Sequence, residues 1–148
     1  MSLRSAVLAD APKIDRCVHR AFSHYVERIG RKPGPMLMDY EHEIREHQVH
    51  LVEEKGEVIG GLVLCIKDEG FLLDVIAVDP AWWGKGIGRR MLEFSEAEAL
   101  RQGFDSIYLY THEKMTENQA LYKKIGYVEY ARRFEQGLAR VYMRKPLK

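Results

Sequence analysis

Three glycines at alternate positions, Gly84, Gly86 and Gly88, stand between an apolar strand and a helix, and this junction constrains the chain more than any other stretch. The run reads Val78-Asp79-Pro80-Ala81-Trp82-Trp83-Gly84-Lys85-Gly86-Ile87-Gly88-Arg89-Arg90. Pro80 removes a backbone donor and stops the strand that ends at Val78. Glycine adopts backbone conformations that other residues resist, and it lets a ligand approach the main chain closely. The first N–H groups of the following helix lack internal partners and lie at the positive end of its dipole. One glycine would serve a tight turn; three at a helix start make a site for an anion such as a pyrophosphate. The spacing excludes two common phosphate loops. A dinucleotide fingerprint starting at Gly84 needs glycine at position 89, which is Arg89, and no Gly-Lys-Ser/Thr completes a P-loop.

Around this junction the hydrophobic periodicity predicts a mixed α/β domain. A strand over residues 3–7 comes first. Asp10 is placed to cap a helix, Pro12 suits its first turn, and Ile14, Cys17, Val18, Ala21, Phe22 and Tyr25 keep helical spacing. Gly30 and Pro33-Gly34-Pro35 end that helix. Asp39 caps a second, short helix reaching residue 46. Strands over residues 49–53, 58–66 and 71–78, joined at Lys55-Gly56 and Asp68-Glu69-Gly70, form an antiparallel meander. After the glycines a helix over 86–102 is closed by Gly103, and Ile107 and Leu109 mark the next strand. Thr116-Glu117-Asn118-Gln119 reads as a capping box opening a helix to residue 125, which Gly126 closes. Strands over 127–133 and 139–144 make a last hairpin around Gln136-Gly137. The strand-helix-strand over 71–110 implies a locally parallel pair. The order is β-α-α-β-β-β-α-β-α-β-β, an α+β mixed sheet carrying helices. With no repeat, low-complexity stretch or linker, residues 1–148 read as one domain.

Charge and composition narrow the function. A net charge of +1 gives no electrostatic case for a nucleic-acid partner. The longest apolar run, residues 58–66, is too short to span a bilayer, and Met1-Ser2-Leu3-Arg4 opens no signal-peptide core, so a cytoplasmic protein without membrane association is expected. Cys17 and Cys65 form no CxxC or Cys/His spacing, so no metal site is expected.

The glycine segment resembles the acyl-CoA loop of the GNAT superfamily of N-acetyltransferases, whose pattern is Gln/Arg-x-x-Gly-x-Gly/Ala after a strand ending in Val-x-Pro. Here Ala77-Val78-Asp79-Pro80 precedes Gly86-Ile87-Gly88, and Trp83 stands where the pattern has Gln or Arg. Leu3-Arg4-Ser5-Ala6 with Asp10 and Ile14 is similar to the family's first strand and helix start. Asn118-Gln119-Ala120-Leu121-Tyr122-Lys123-Lys124-Ile125-Gly126-Tyr127 resembles its Asn…Ala-Leu-Tyr…Gly-Phe/Tyr segment. The resemblance covers nearly the whole chain and implies acetyl transfer from acetyl-CoA to a small-molecule or peptide amine. The alternative is a catalytically silent module of the same fold that senses CoA.

The resemblance also implies a site. Its cofactor-binding residues are Trp83, Gly84, Lys85, Gly86, Ile87, Gly88 and Arg89 in the loop, Ile76, Ala77 and Val78 through their backbone, and Asn118 and Tyr122. Ala77 or Val78 N–H would stabilise the oxyanion. Tyr122 is the expected acid at the thioester sulfur; without the resemblance it reads as a packed helix tyrosine. Asn118 either reaches CoA or caps its helix locally. An amine of pKa about 10.4 is roughly one part in a thousand neutral near pH 7, so a base is required. Asp74, a carboxylate inside an apolar strand, is the candidate, because such a group needs a partner or a function. His112 and Glu113 are weaker rivals, expected in a loop. Residues 25–40, with Arg28, Arg31, Lys32, Met36, Met38 and Tyr40, are expected to wall the acceptor cleft, and basic residues there would suit a carboxylate. Edge strands in the last hairpin are compatible with a homodimer.

Overall fold

A computed structural model describes residues 2–148. The strands are β1 (Ser2–Ser5), β2 (Gln48–Glu54), β3 (Glu57–Lys67), β4 (Gly70–Val78), β5 (Ser106–His112), β6 (Val128–Glu135) and β7 (Leu138–Pro146). The helices are α1 (Ala11–Phe22), α2 (Tyr25–Ile29), α3 (Tyr40–Glu46), α4 (Ile87–Arg101) and α5 (Thr116–Lys124). Seven strands form one sheet in the order β1-β2-β3-β4-β5-β7-β6. Every neighbouring pair is antiparallel except β4 and β5. Both hairpin turns anticipated from Lys55-Gly56 and Gln136-Gly137 place two residues at positive φ, the geometry that matches strand twist.

Each face of the sheet buries its own core. On one face Ile14, Cys17, Val18 and Phe22 of α1 and Tyr40 of α3 pack on Leu51, Val63, Cys65 and Val75. On the other, Ile87, Met91, Leu92 and Ala99 of α4 and Tyr122 of α5 pack on Leu62, Leu64, Leu73 and Leu109. The central strand β3 is therefore apolar at successive positions. Burying each large side chain contributes about 1.5–3 kcal/mol. Gly60 serves this packing, because a Cβ there would lie 3.1 Å from Met91 Cε and 3.4 Å from Ile87 Cγ2, and these side chains would have to give by a few tenths of an ångström.

Several local expectations are corrected. Asp10 does not cap α1; it lies in a 3-10 turn, Leu8–Asp10, accepts from Val7 N–H at 2.8 Å and pairs with Arg4 at 2.9 Å. A tertiary arginine has captured the carboxylate that helix-cap chemistry would have used. The first long helix stops at Phe22 and resumes as α2, which Gly30 terminates at φ 87°. The capping box at Thr116 does not form. Thr116 Oγ1 turns to Glu117, and the Gln119 amide donates to His112 O and Glu113 O, tying α5 to the loop before it. Asp39 does cap α3, accepting from His42 N–H at 3.2 Å.

The fold also gathers Glu43 and His47, one turn apart at the end of α3, with Cys65 of β3, so that their donor atoms lie within 4.8 Å of one another. Sequence spacing gives no hint of this grouping. Glu43 is buried, its carboxylate makes no hydrogen bond or salt bridge among the described residues, and burial pushes that carboxyl above the ordinary value of 4.5. The folded state thus holds its proton more tightly than the unfolded chain does, and this group's contribution is lost as pH rises past the ordinary carboxylate range. Glu43→Gln is expected to raise the melting temperature at pH 7, with the gain shrinking towards pH 4. A difference that stays constant across that range would remove ionisation as its cause.

Candidate active site

The site begins where the parallel pair fails. Only Leu72 with Tyr108 and Leu73 with Leu109 are in register, although β4 continues to Val78 and β5 to His112. The cause lies in β4. Its ladder with β3 passes from Leu73 opposite Leu64 to Val75 opposite Val63, so Asp74 is the extra residue of a β-bulge. A bulge bends and twists its strand, and β4 leaves β5 beyond this point.

Strand alternation then decides which amides are free. Asp79 N–H donates to Ile59 O of β3 at 2.9 Å, and Ala77, opposite Gly61, turns its N–H to the same side. Ile76 and Val78 therefore present their N–H groups to the open side. Ala77 and Val78, treated together in the sequence, face opposite ways.

Next comes the glycine loop. Asp79 accepts from Ala81 N–H at 3.0 Å and pairs with Arg20 of α1 at 2.7 Å, which fixes the chain as it leaves the sheet. Gly84 and Gly86 have φ of 78° and 82°, so both need glycine, whereas Gly88 lies inside α4 with ordinary φ. A Cβ at Gly86 would meet nothing within 4 Å. Gly86 begins α4 without any side-chain cap, and Arg90 N–H makes the first bond back to Gly86 O at 3.0 Å. The amides of Ile87, Gly88 and Arg89 have no intrahelical acceptor. Free amides, open space and the positive dipole end fit a pyrophosphate. Trp83, the departure from the pattern, acquires a structural role: its indole N–H donates to Val78 O at 2.9 Å, holding the loop to the open edge of β4, and its ring meets His24 edge-on at 5.5 Å.

Two cavities meet at this seam. One, of about 310 Å³, runs along Val78, the glycine loop and α5. The other, of about 340 Å³, lies between the segment after α2, the bulge in β4, β5 and the β6–β7 turn. They share Phe22, Ile76, Asn118 and Tyr122. Tyr122 is 6% exposed, and its hydroxyl has no hydrogen-bond partner among the described residues. Burial pushes its pKa above the ordinary 10, so the hydroxyl stays protonated. Asn118 does not cap α5; its amide makes one weak contact, to Met115 Sδ at 3.8 Å.

Asp74 lines the second cavity only. Its partner is Tyr110, which sequence reasoning missed: the hydroxyl donates to Asp74 Oδ1 at 2.9 Å. Cys65 Sγ lies 3.7 Å from the other oxygen, and burial, with Asp74 adding to it, pushes that thiol up to about 12. The signal for Tyr110 was faint, a tyrosine on the strand where pairing ends. His112 is the last residue of β5 rather than a loop residue, lines the same cavity and accepts from Lys114 N–H at 3.1 Å through Nδ1; burial lowers its pKa. Glu113 is exposed and lines neither cavity.

The segment over 25–40 divides its work. Arg31, Leu37 and Met38 line the second cavity, while Met36 and Tyr40 join the core, with Tyr40 donating to Pro35 O at 2.5 Å. Arg28 pairs with Glu117 of α5 at 2.6 Å. Arg140 of β7 also enters the cavity, unannounced by any motif.

A family model described as Acetyltransferase (GNAT) family matches residues 15–127. No curated protein sequence matches the chain. Among solved structures it is similar to the ribosomal-protein-S18-alanine N-acetyltransferase of Escherichia coli, at 18% identity and TM-score 0.79, covering 99% of this chain and 93% of that one. It is similar to the PaiA N-acetyltransferase of Thermoplasma acidophilum in complex with coenzyme A, at 16% identity and TM-score 0.78, covering 99% of each chain. A GNAT-family acetyltransferase from Staphylococcus aureus Mu50 gives 19% identity and TM-score 0.79, again over 99% of each chain. At these identities the likeness is one of fold. No helix among the described residues is long and apolar enough to cross a membrane.

Proposed function

This chain belongs to the GNAT acetyltransferase family, and from that premise we propose that it transfers an acetyl group from acetyl-CoA to a primary amine by direct attack within a ternary complex. The observation that carries the reading is the junction of the two cavities at Phe22, Ile76, Asn118 and Tyr122. A donor entering along the glycine loop and an acceptor entering from the other side meet there and nowhere else in the cleft.

Acetyl-CoA supplies the activated acyl group as a thioester. The amides of Ile87, Gly88 and Arg89 hold its pyrophosphate, with the Lys85 and Arg89 side chains adding positive charge. Ile76 and Val78 N–H bind the arm and polarise the thioester carbonyl, where charge develops as the amine attacks. The new bond joins the amine nitrogen to the acetyl carbon, and the carbon–sulfur bond breaks. Asp74, on the acceptor side and oriented by Tyr110, takes the proton that the nitrogen loses, directly or through water. Tyr122 donates to the departing sulfur. Burial raises its pKa, so the hydroxyl carries a proton to give throughout the working pH range.

Calorimetric titration with acetyl-CoA, followed by thiol release with a panel of amines, tests the proposal. Micromolar binding with amine-dependent release is expected, and Asp74→Asn should lower turnover about tenfold to hundredfold without changing acetyl-CoA affinity. Binding with no release for any amine would instead support the silent CoA-binding module.

A further inference from the structure

The acceptor cavity is mostly apolar but holds an unusual set of charges. Asp74 meets the hydroxyl of Tyr110, and Arg140 lies over the face of its ring. The Tyr110 hydroxyl donates to Asp74 Oδ1 at 2.9 Å, and Arg140 Cζ lies 4.4 Å from the centre of the same ring. One tyrosine therefore contacts both the anion and the cation.

Arg140 is poorly satisfied for a cation with a side chain only 13% exposed. Its two polar contacts, to Glu135 Oε1 and Gln136 Oε1, are both long at 3.4 Å. Glu135 Oε1 is already engaged by the Tyr142 hydroxyl at 2.5 Å. A guanidinium carries five donors in a planar fork matched to a carboxylate, so most of its capacity is unused. A second cation stands nearby. Arg31 reaches from the segment after α2 to the β6–β7 turn, with Nη1 3.4 Å from Gly137 O, and lines the same cavity.

From this arrangement we infer that the acceptor is an amine bearing a carboxylate a few bonds away, an amino-acid-like zwitterion whose nitrogen faces Asp74 and whose carboxylate is held by Arg140 with Arg31. The inference rests on the acetyl-transfer reading above and names its substrate class. A polyamine is disfavoured because its second ammonium would meet two guanidiniums. A protein lysine side chain brings no carboxylate within this short span. The cavity, about 340 Å³, is of a size for a small molecule.

The test is thiol release from acetyl-CoA with the natural amino acids, each compared with its own carboxamide, which keeps the amine and removes the anion. At least one amino acid should exceed its amide in kcat/KM by about tenfold to a hundredfold, the range for a hydrogen-bonded charge. Arg140→Met should collapse that ratio while acetyl-CoA affinity, measured by calorimetry, stays unchanged. Arg31→Gln, on the exposed rim, should reduce the ratio by a smaller factor and serves if Arg140→Met does not fold. Release with amides equal to that with amino acids, or a ratio indifferent to both substitutions, would overturn the zwitterion while leaving acetyl transfer standing. No release with any amine would overturn both.

Discussion

Tyr122→Phe is expected to lower turnover about a hundredfold while leaving acetyl-CoA affinity within about twofold. The substitution removes one oxygen and keeps the ring. That ring is buried in the core beneath α5 and meets Tyr127 at 5.7 Å in a T-shaped contact, so the packing survives. The hydroxyl has no partner within the protein among the described residues, so its loss leaves no orphaned group behind. A structural tyrosine with a bonded hydroxyl would show the opposite pattern, a fall in stability with turnover intact. The measurement is thiol release at saturating acetyl-CoA beside a melting curve. Unchanged turnover would remove Tyr122 from the chemistry and return it to the core.

The second large effect concerns the loop. Gly86→Val is expected to weaken acetyl-CoA binding by a hundredfold or more. Gly86 sits at φ 82°, where an L-residue costs roughly 1–2 kcal/mol. A β-branched side chain would also fill the space in front of the amides of Ile87, Gly88 and Arg89. Strain and obstruction can be separated. Gly103, at φ 91° with nothing within 4 Å of its added Cβ, lies past the far end of α4. Gly103→Val should cost similar stability and leave acetyl-CoA affinity alone. Equal losses of affinity in the two variants would show that strain, not the phosphate approach, is responsible, and the loop assignment would fall.

The features legible in the sequence are those encoded locally. The order of elements, the two hairpin turns, the Asp39 cap and the positive-φ glycines each depend on a few adjacent residues, and the structure keeps them. The misreadings share one physical origin, competition from partners outside the local motif. Asp10 had cap chemistry, but Arg4 and Glu53 of a neighbouring strand made a better arrangement for it. Thr116 had capping-box chemistry, but Gln119 was drawn to the loop carbonyls. Asp74 was singled out as a carboxylate misplaced in an apolar strand, yet the bulge that exposes it is a property of register between two strands. Tyr110 and Arg140 carried no motif at all. They matter because β5 and β7 lie side by side with His112 opposite Arg140, a pairing that alternation within either strand cannot reveal.

The early parting of β4 and β5 has a mechanical consequence. Strands β1 to β4 and β5 to β7 are two rafts moored to each other by the rungs at Leu72–Tyr108 and Leu73–Leu109, with α4 as a strap across one side. A sheet that is continuous elsewhere is left with a tear at its middle. An amide-bearing chain laid along Ile76 would supply the missing rungs on the β4 bank. The co-substrate is then also a temporary piece of the scaffold. Occupancy of the tear would then be linked to stability, so the melting temperature should rise with acetyl-CoA concentration.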